Sequence, residues 1–155
     1  MDILNWRRID AQVTTSGQPS EAELVLLADA GVKTIINLGP HWNKGALPDE
    51  TSSVTALGMK YIYIPVDFEA PTRADFEAFR EALKESRGDA AHVHCIYNAR
   101  VSAFFYVLAK EQGDSVVAHA RMDSIWRPGG VWAAFIGKPS AIGSEHLYER
   151  EDYDV

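Results

Sequence analysis

Three short stretches of the chain carry the hydrophobic pattern of β-strands. Residues 32–39 (VKTIINLG) form an apolar run rich in β-branched residues, which predicts a buried strand. Residues 60–66 (KYIYIPV) alternate, which places the aliphatic side chains on one face and the two tyrosines on the other. Residues 91–95 (AHVHC) predict a third strand.

Helical spacing and capping residues mark the segments between and after these strands. Ser20 stands three residues before Glu23, as in a capping box, and the helix that it opens ends at Gly31. Thr72 can cap a second helix, whose apolar stripe consists of Phe76, Phe79 and Leu83. Four further helices are predicted: residues 48–58, a helix that begins near Arg100, residues 114–126 and residues 130–137.

Strands that alternate with helices predict an α/β fold with three layers. We expect a mostly parallel central sheet of about four to five strands, flanked by helices, in a single domain over residues 1–155. In such folds, ligands bind beyond the carboxyl ends of the strands. Cys95 ends the strand at residues 91–95 and directly precedes a helix, so it is expected at that edge of the sheet.

Composition and charge argue against several classes of function. The chain has 155 residues and a net charge of −7 without a basic cluster, so we expect no nucleic-acid partner. The first ten residues lack a signal-peptide pattern and no apolar run is long enough to span a membrane, so we expect a cytoplasmic protein without membrane contact. A lone cysteine forms no internal disulfide and the histidines lack metal-ligand spacing; we expect no metal and no other cofactor.

The lone cysteine stands in a segment that is suited to binding an anion. Backbone N–H groups converge in a tight loop between a strand and a helix N-terminus, and they favour phosphate or a thiolate. The amides expected to form this site belong to Ile96, Tyr97, Asn98, Ala99 and Arg100. The guanidinium of Arg100 adds a planar fork for two phosphate oxygens, and Asn98 is the loop residue best able to adopt the left-handed conformation. The other interpretation is that Cys95 is a buried core residue.

The segment HCIYNARVSAFF (residues 94–105) resembles the signature of cysteine-dependent protein phosphatases. The likeness is greatest to a bacterial family of predicted phosphatases related to the dual-specificity and tyrosine phosphatases, whose domain also occurs fused to metallo-β-lactamase-like hydrolases. Residues 14–38, 58–79 and 124–136 have counterparts in that family. The resemblance implies Cys95 as the nucleophile, Arg100 as the phosphate clamp, Asp67 as the general acid, and a phosphorylated substrate or another small oxyanion as the partner.

Several neighbouring side chains are candidates for supporting roles. The ring of His94 could hydrogen-bond the loop and hold Cys95 in place, while His92, two positions earlier on the same strand face, is expected to be structural. Ser102 could donate to the thiolate, but a serine in the first turn of the helix is the favoured interpretation, because Val101 separates it from Arg100. Glu69 is the rival of Asp67 for the role of general acid, because it lies two residues further along the same loop.

Two functions other than a phosphatase are compatible with the same loop. Four residues separate Cys95 from Arg100, whereas most tyrosine phosphatases have five, and four is the spacing of many rhodanese-like sulfurtransferases. Such an enzyme would carry a persulfide on Cys95. Tyr97 and Asn98 replace the usual Ser-Gly pair, which makes a non-catalytic anion-binding module the third hypothesis.

Overall fold

The computed structural model describes residues 1–137, and within them the strands form one five-stranded sheet. The strands are β1 (Arg7–Arg8), β2 (Val13–Ser16), β3 (Thr34–Asn37), β4 (Lys60–Tyr63) and β5 (Ala91–His94). Their order across the sheet is β1-β2-β5-β3-β4, and every pairing is parallel except that of β1 with β2. The predicted α/β fold with a mostly parallel sheet is therefore confirmed.

Helices connect the parallel strands and follow the last one. They are α1 (Glu21–Asp29), α2 (Glu50–Ala56), α3 (Arg73–Glu85), α4 (Ala99–Glu111), α5 (Ser115–Met122) and α6 (Gly130–Phe135). Ser20 forms the predicted capping box with Glu23, and Thr72 caps α3 as predicted and also forms a box with Asp75. The acidic stretch at residues 149–155 lies outside the described residues.

The two faces of the sheet bury separate apolar clusters. Consecutive strand residues point to opposite faces, so Ile35 packs with the buried leucines of α1 and with Val54 of α2. Its neighbour Ile36 packs on the other face with Val93 and with the phenylalanines of α3 and α4. The result is the predicted three-layer arrangement, with α1 and α2 on one side and the remaining helices on the other.

Strands β1 and β2 have no counterpart among the strands that the sequence analysis located. β1 has only two residues, and β2 has the sequence VTTS, in which polar side chains hide the usual apolar pattern. The structure explains the polar residues of β2. Thr14 and Ser16 lie beside His92 of β5 and bind its two ring nitrogens, each at 2.7 Å.

These contacts hold His92 in its neutral form. The Ser16 hydroxyl donates its proton to the carbonyl of Gly17, so it accepts from Nε2 of His92, and Nδ1 in turn accepts from Thr14. Complete burial, together with the charge of His94, lowers the pKa of His92 to about 3. His92 is therefore a structural residue that joins β2 to β5.

We expect His92 to make the fold sensitive to acid. An unfolded histidine has a pKa of about 6.5. The unfolded chain therefore takes up the His92 proton first as the pH falls from 6.5 towards 3, and stability is lost in that window. The free energy of unfolding should drop by roughly 2 kcal/mol between pH 6 and pH 4 from this residue alone. Urea unfolding of the wild type and of His92→Gln at both pH values measures the difference; equal losses in the two proteins would contradict the prediction.

Candidate active site

The cysteine loop, residues 95–100, lies at the carboxyl end of β5 and leads into α4. Asn98 is the N-cap residue of α4 and adopts the left-handed conformation, with φ 77° and ψ 12°, as the sequence predicts. Its side-chain amide donates to the carbonyl of Asn5 at 2.9 Å and to the hydroxyl of Thr15 at 3.1 Å. The strained residue is thus fixed by the N-terminal segment and by the neighbouring strand.

Three consecutive carbonyl groups of the loop, at residues 95–97, are each bound by another part of the protein. Nδ1 of His94 lies 2.9 Å from the first, the backbone N–H of Gln18 donates to the second at 3.0 Å, and the side-chain amide of Asn5 donates to the third at 2.8 Å. In a trans peptide, the N–H group points opposite to the carbonyl, and the described chain has no cis peptide bond. The amides of residues 96–98 therefore point away from these partners, towards the concave side of the loop.

A close approach of backbone to backbone holds the loop against the end of β2. A Cβ atom on Gly17 would lie 2.5 Å from the carbonyl oxygen of Ile96, so a side chain at this position would push the loop away. Glycine at residue 17 therefore allows the neighbouring amide of Gln18 to reach that carbonyl. The Ser-Gly-Gln-Pro segment (residues 16–19) is therefore part of the site.

Arg100 is completely buried and connects the loop to two distant segments. Its Nε donates to the carbonyl of Val66 at 2.8 Å, and its Nη2 donates to Oδ1 of Asn43 at 2.8 Å. Its guanidinium carbon lies 5.2 Å from the centre of the Phe68 ring. The structure therefore brings Arg100 next to the segment that carries Asp67.

Asp67 lies in this segment, which we call the cover segment (residues 66–70). The Asp67 side chain is exposed, and its Oδ1 accepts a hydrogen bond from the backbone N–H of Glu69 at 2.9 Å. The carbonyl of Phe68 accepts from the indole of Trp132 at 2.7 Å, which ties the cover segment to α6. The Glu69 side chain is also exposed, so both candidate acids lie at the surface beside the buried arginine.

Behind the loop, His94 forms a buried hydrogen bond with Glu50. Nε2 of His94 lies 2.6 Å from Oε2 of Glu50, and both side chains are almost fully buried. Burial alone would raise the pKa of Glu50, but the charge and hydrogen bond of His94, with the amide of Gln18, hold that pKa below its ordinary value. Burial and then the charge of Glu50 raise the pKa of Tyr61 above its ordinary value.

The comparisons with known proteins fit this geometry. No family model matches the chain. It is 35% identical over 106 residues to the β-lactamase hydrolase-like protein of Agrobacterium fabrum, a match that covers 66% of this chain and 24% of that protein. It is 36% identical to a solved structure from Shewanella putrefaciens CN-32, named "Putative phosphatase (DUF442)". That match covers 87% of this chain and 90% of the Shewanella chain, with a TM-score of 0.77. The chain belongs to the DUF442 family.

The predicted family resemblance is therefore confirmed. The names of the curated relatives also agree with the predicted occurrence of this domain next to a β-lactamase-like hydrolase. The DUF442 chain spans about a quarter of the length of those relatives. The chain is also 18% identical to TpbA from P. aeruginosa, in a match that covers 77% of this chain and 72% of TpbA with a TM-score of 0.62. This similarity shows a shared fold.

The described hydrogen bonds of Ser102 are with groups other than the thiol of Cys95. Its hydroxyl donates to the carbonyl of Ala99 at 3.1 Å and accepts from the indole of Trp126 at 3.1 Å. These contacts hold the first turn of α4 against the segment that follows α5. A role for Ser102 at the thiolate stays a prediction.

Sequence reasoning missed four residues that shape the site. They are Asn5, Gln18, Asn43 and Glu50. Each comes from a loop or a helix start that is distant in sequence from residues 95–100. The one available signal was a carboxylate at residue 50 among the small residues of a weak helix, and it does not by itself indicate a contact with a histidine 44 residues away.

Other features of the described residues lie apart from this site. A groove of about 520 Å³ is lined by Val13 and Ala91, the first residues of β2 and β5, whereas Cys95 follows the last residue of β5. It is therefore at the opposite end of the sheet, roughly 13 Å along a four-residue strand. Over residues 1–137, no helix is long and apolar enough to cross a membrane, and no three metal-ligating side chains converge.

Proposed function

We propose that the chain is a cysteine-dependent phosphomonoesterase that works through a phosphocysteine intermediate. The observation that carries this proposal is the orientation of the cysteine loop, whose carbonyls at residues 95–97 are all bound from outside. Three amides on the concave side, together with Arg100, form a receptor for an oxyanion directly next to a thiol. Membership of the DUF442 family supports the same function.

The proposed reaction has two displacements at phosphorus. The thiolate of Cys95 attacks in line, the S–P bond forms, and the P–O bond to the leaving group breaks while Asp67 gives that oxygen its proton. The amides and Arg100 bind the equatorial oxygens, whose charge increases in the transition state. Water then attacks the phosphocysteine, with Asp67 accepting its proton, which releases phosphate and restores the thiolate.

The cover segment contacts the buried arginine of the site. Cys95 has no exposed surface, and Arg100, which is equally buried, donates to the carbonyl of Val66 and lies 5.2 Å from the centre of the Phe68 ring. Movement of this segment, which carries Asp67, is the proposed route of a substrate to the thiol. We propose that the segment opens for binding and closes for chemistry, which would bring the acid and the substrate together.

A side-by-side assay tests the proposed function against the sulfurtransferase alternative. Wild type and Cys95→Ser are incubated with p-nitrophenyl phosphate, with phosphotyrosine, because the TpbA structure contains it, and with thiosulfate. Phosphate release that depends on Cys95 supports the proposal. A persulfide on Cys95 that cyanide discharges, without phosphate release, would instead favour the sulfurtransferase, for which the four-residue spacing argues.

Arg100→Lys should weaken phosphate binding about tenfold, because one charge-assisted hydrogen bond contributes about 1.5–3 kcal/mol. Lysine carries the same charge but cannot copy the planar fork. Binding is measured by calorimetry with inorganic phosphate, and Arg73→Lys, a surface arginine in an ion pair with Glu77, is the control. Equal phosphate affinity of wild type and Arg100→Lys would refute the assignment of Arg100 as the clamp.

A further inference from the structure

Glu50 lies at the centre of the contacts that orient the cysteine loop. One of its carboxylate oxygens accepts from the side-chain amide of Gln18 at 2.7 Å, and the other lies 2.6 Å from Nε2 of His94. Those two partners bind consecutive loop carbonyls: His94 binds that of Cys95 through Nδ1, and Gln18 binds that of Ile96 through its backbone N–H. A single buried carboxylate thus links the supports of the two peptide groups that follow the thiol.

The hydrogen bonds of His94 determine which protons it carries. Nδ1 faces a carbonyl oxygen, which can only accept, so Nδ1 must carry a proton. Nε2 faces the carboxylate of Glu50, which also only accepts when it is ionised. The donated amide of Gln18 and the lowered pKa of Glu50 both favour the ionised carboxylate. With the carboxylate ionised, both ring nitrogens of His94 face acceptors, which is the arrangement that suits a doubly protonated ring.

We propose that Glu50 is a positioning residue that keeps His94 doubly protonated directly behind Cys95, so that the thiolate forms next to a fixed positive charge. This inference rests on the proposed function and deepens it. The carboxylate lies beyond the far nitrogen of the ring, so the positive charge of the pair is the nearer one to the cysteine loop. The attraction of the imidazolium for the thiolate is therefore only partly cancelled by Glu50.

The other titratable groups around the pair do not replace Glu50 in this role. His92, on the same strand as His94, is neutral because its pKa is about 3. The pKa of Tyr61 is raised, so its hydroxyl keeps its proton and adds no charge at neutral pH. His41 is exposed and its ring stacks on Tyr63 at 3.8 Å. Among the described residues around the pair, Glu50 is the buried carboxylate that binds His94.

Glu50→Gln separates the charge of this residue from its shape. The glutamine oxygen can still accept from Gln18, and its amide can donate to Nε2 of a neutral His94, so both hydrogen bonds remain possible. We expect the rate of Cys95 alkylation by iodoacetamide to fall about tenfold at pH 6 and to change less than about twofold at pH 9, which lies above the ordinary thiol pKa of about 8.5. The exposed neighbour Asp49→Asn changes the net charge equally and should leave both rates unchanged.

Two outcomes would overturn the proposal. Alkylation that slows equally at both pH values would mean that Glu50 only supports the structure, and unchanged rates at both would mean that it has no role at the thiol. NMR of ring-labelled wild-type protein gives a second test that needs no variant: His94 should carry protons on both ring nitrogens at pH 7, and a neutral ring refutes the proposal. Neither readout depends on phosphatase turnover, so a failure here is distinguishable from a failure of the proposed function.

Discussion

Cys95→Ser is expected to abolish phosphate-ester turnover, with a loss on the order of 10⁴-fold or more, because the variant lacks the nucleophile of the first displacement. A serine hydroxyl does not ionise near neutral pH, so it cannot replace a thiolate as the attacking group. The carbonyls of residues 95–97 and their partners are unchanged by the substitution. Inorganic phosphate should therefore still bind to the variant, at least as tightly as to the wild type, since the competing thiolate charge is gone.

The measurement has two parts, turnover of p-nitrophenyl phosphate and phosphate affinity by calorimetry. Loss of turnover with affinity retained is the expected pattern. Loss of both would mean that the substitution disrupts the loop, and thermal unfolding of the variant checks this. Turnover at the wild-type rate in Cys95→Ser would contradict the proposed mechanism, and it would restore the interpretation of Cys95 as a buried core residue.

The burial of Cys95 is compatible with both interpretations, so its surroundings have to distinguish them. A core cysteine is covered by apolar side chains and needs no particular backbone around it. Here the following residues include a left-handed asparagine, and three consecutive carbonyls are bound from outside. Backbone strain of about 1–3 kcal/mol persists only where the surroundings hold it in place. At Asn98, hydrogen bonds to Asn5 and Thr15 do so.

The choice of asparagine over glycine at residue 98 follows from these contacts. Glycine would adopt the left-handed conformation at lower cost, but it has no side chain to donate to the carbonyl of Asn5 and to the hydroxyl of Thr15. Asn5 itself has a positive φ of 52° and donates to the carbonyl of Tyr97. The two asparagines thus bind each other's segments, and the N-terminal segment supports the cysteine loop from its carbonyl side.

Local sequence patterns were sufficient for most of the fold. The capping boxes at Ser20 and Thr72 and the strand-loop-helix order around Cys95 depend on residues a few positions apart, so the sequence displays them directly. The sequence did not predict β2, because its polar side chains lack the apolar pattern of a strand. Their partner is His92, which lies 76 to 78 residues away. The roles of Glu50 and Asn43 were not predicted for the same reason, since only the folded chain brings them to His94 and Arg100.

Asp67 and Glu69 are the two candidates for the proposed general acid, and both lie in the cover segment. Asp67 follows Val66, whose carbonyl binds Arg100, so the backbone that carries the proposed acid is attached to the proposed phosphate clamp. Glu69, two residues on, donates its backbone N–H to the Asp67 carboxylate. Only one of the two can protonate the leaving oxygen in a given geometry. The Arg100 contact favours Asp67, the residue next to it.

Asp67→Asn is expected to lower turnover about 10²-fold, because a positioned general acid contributes about 10²–10⁴-fold. The asparagine oxygen can still accept from the N–H of Glu69, so the turn should keep its shape, and phosphate affinity should stay unchanged. A wild-type rate that falls as the pH rises would be the signature of a general acid, and Asp67→Asn should flatten this basic limb. Turnover of alkyl phosphates, whose leaving groups need the proton most, should slow more than that of p-nitrophenyl phosphate.

The matched control is Glu69→Gln, which should retain full rate and the basic limb. If Glu69→Gln loses both while Asp67→Asn keeps them, the role belongs to Glu69; if neither variant changes the profile, the acid lies outside the cover segment and the proposed coupling of its closure to catalysis is wrong.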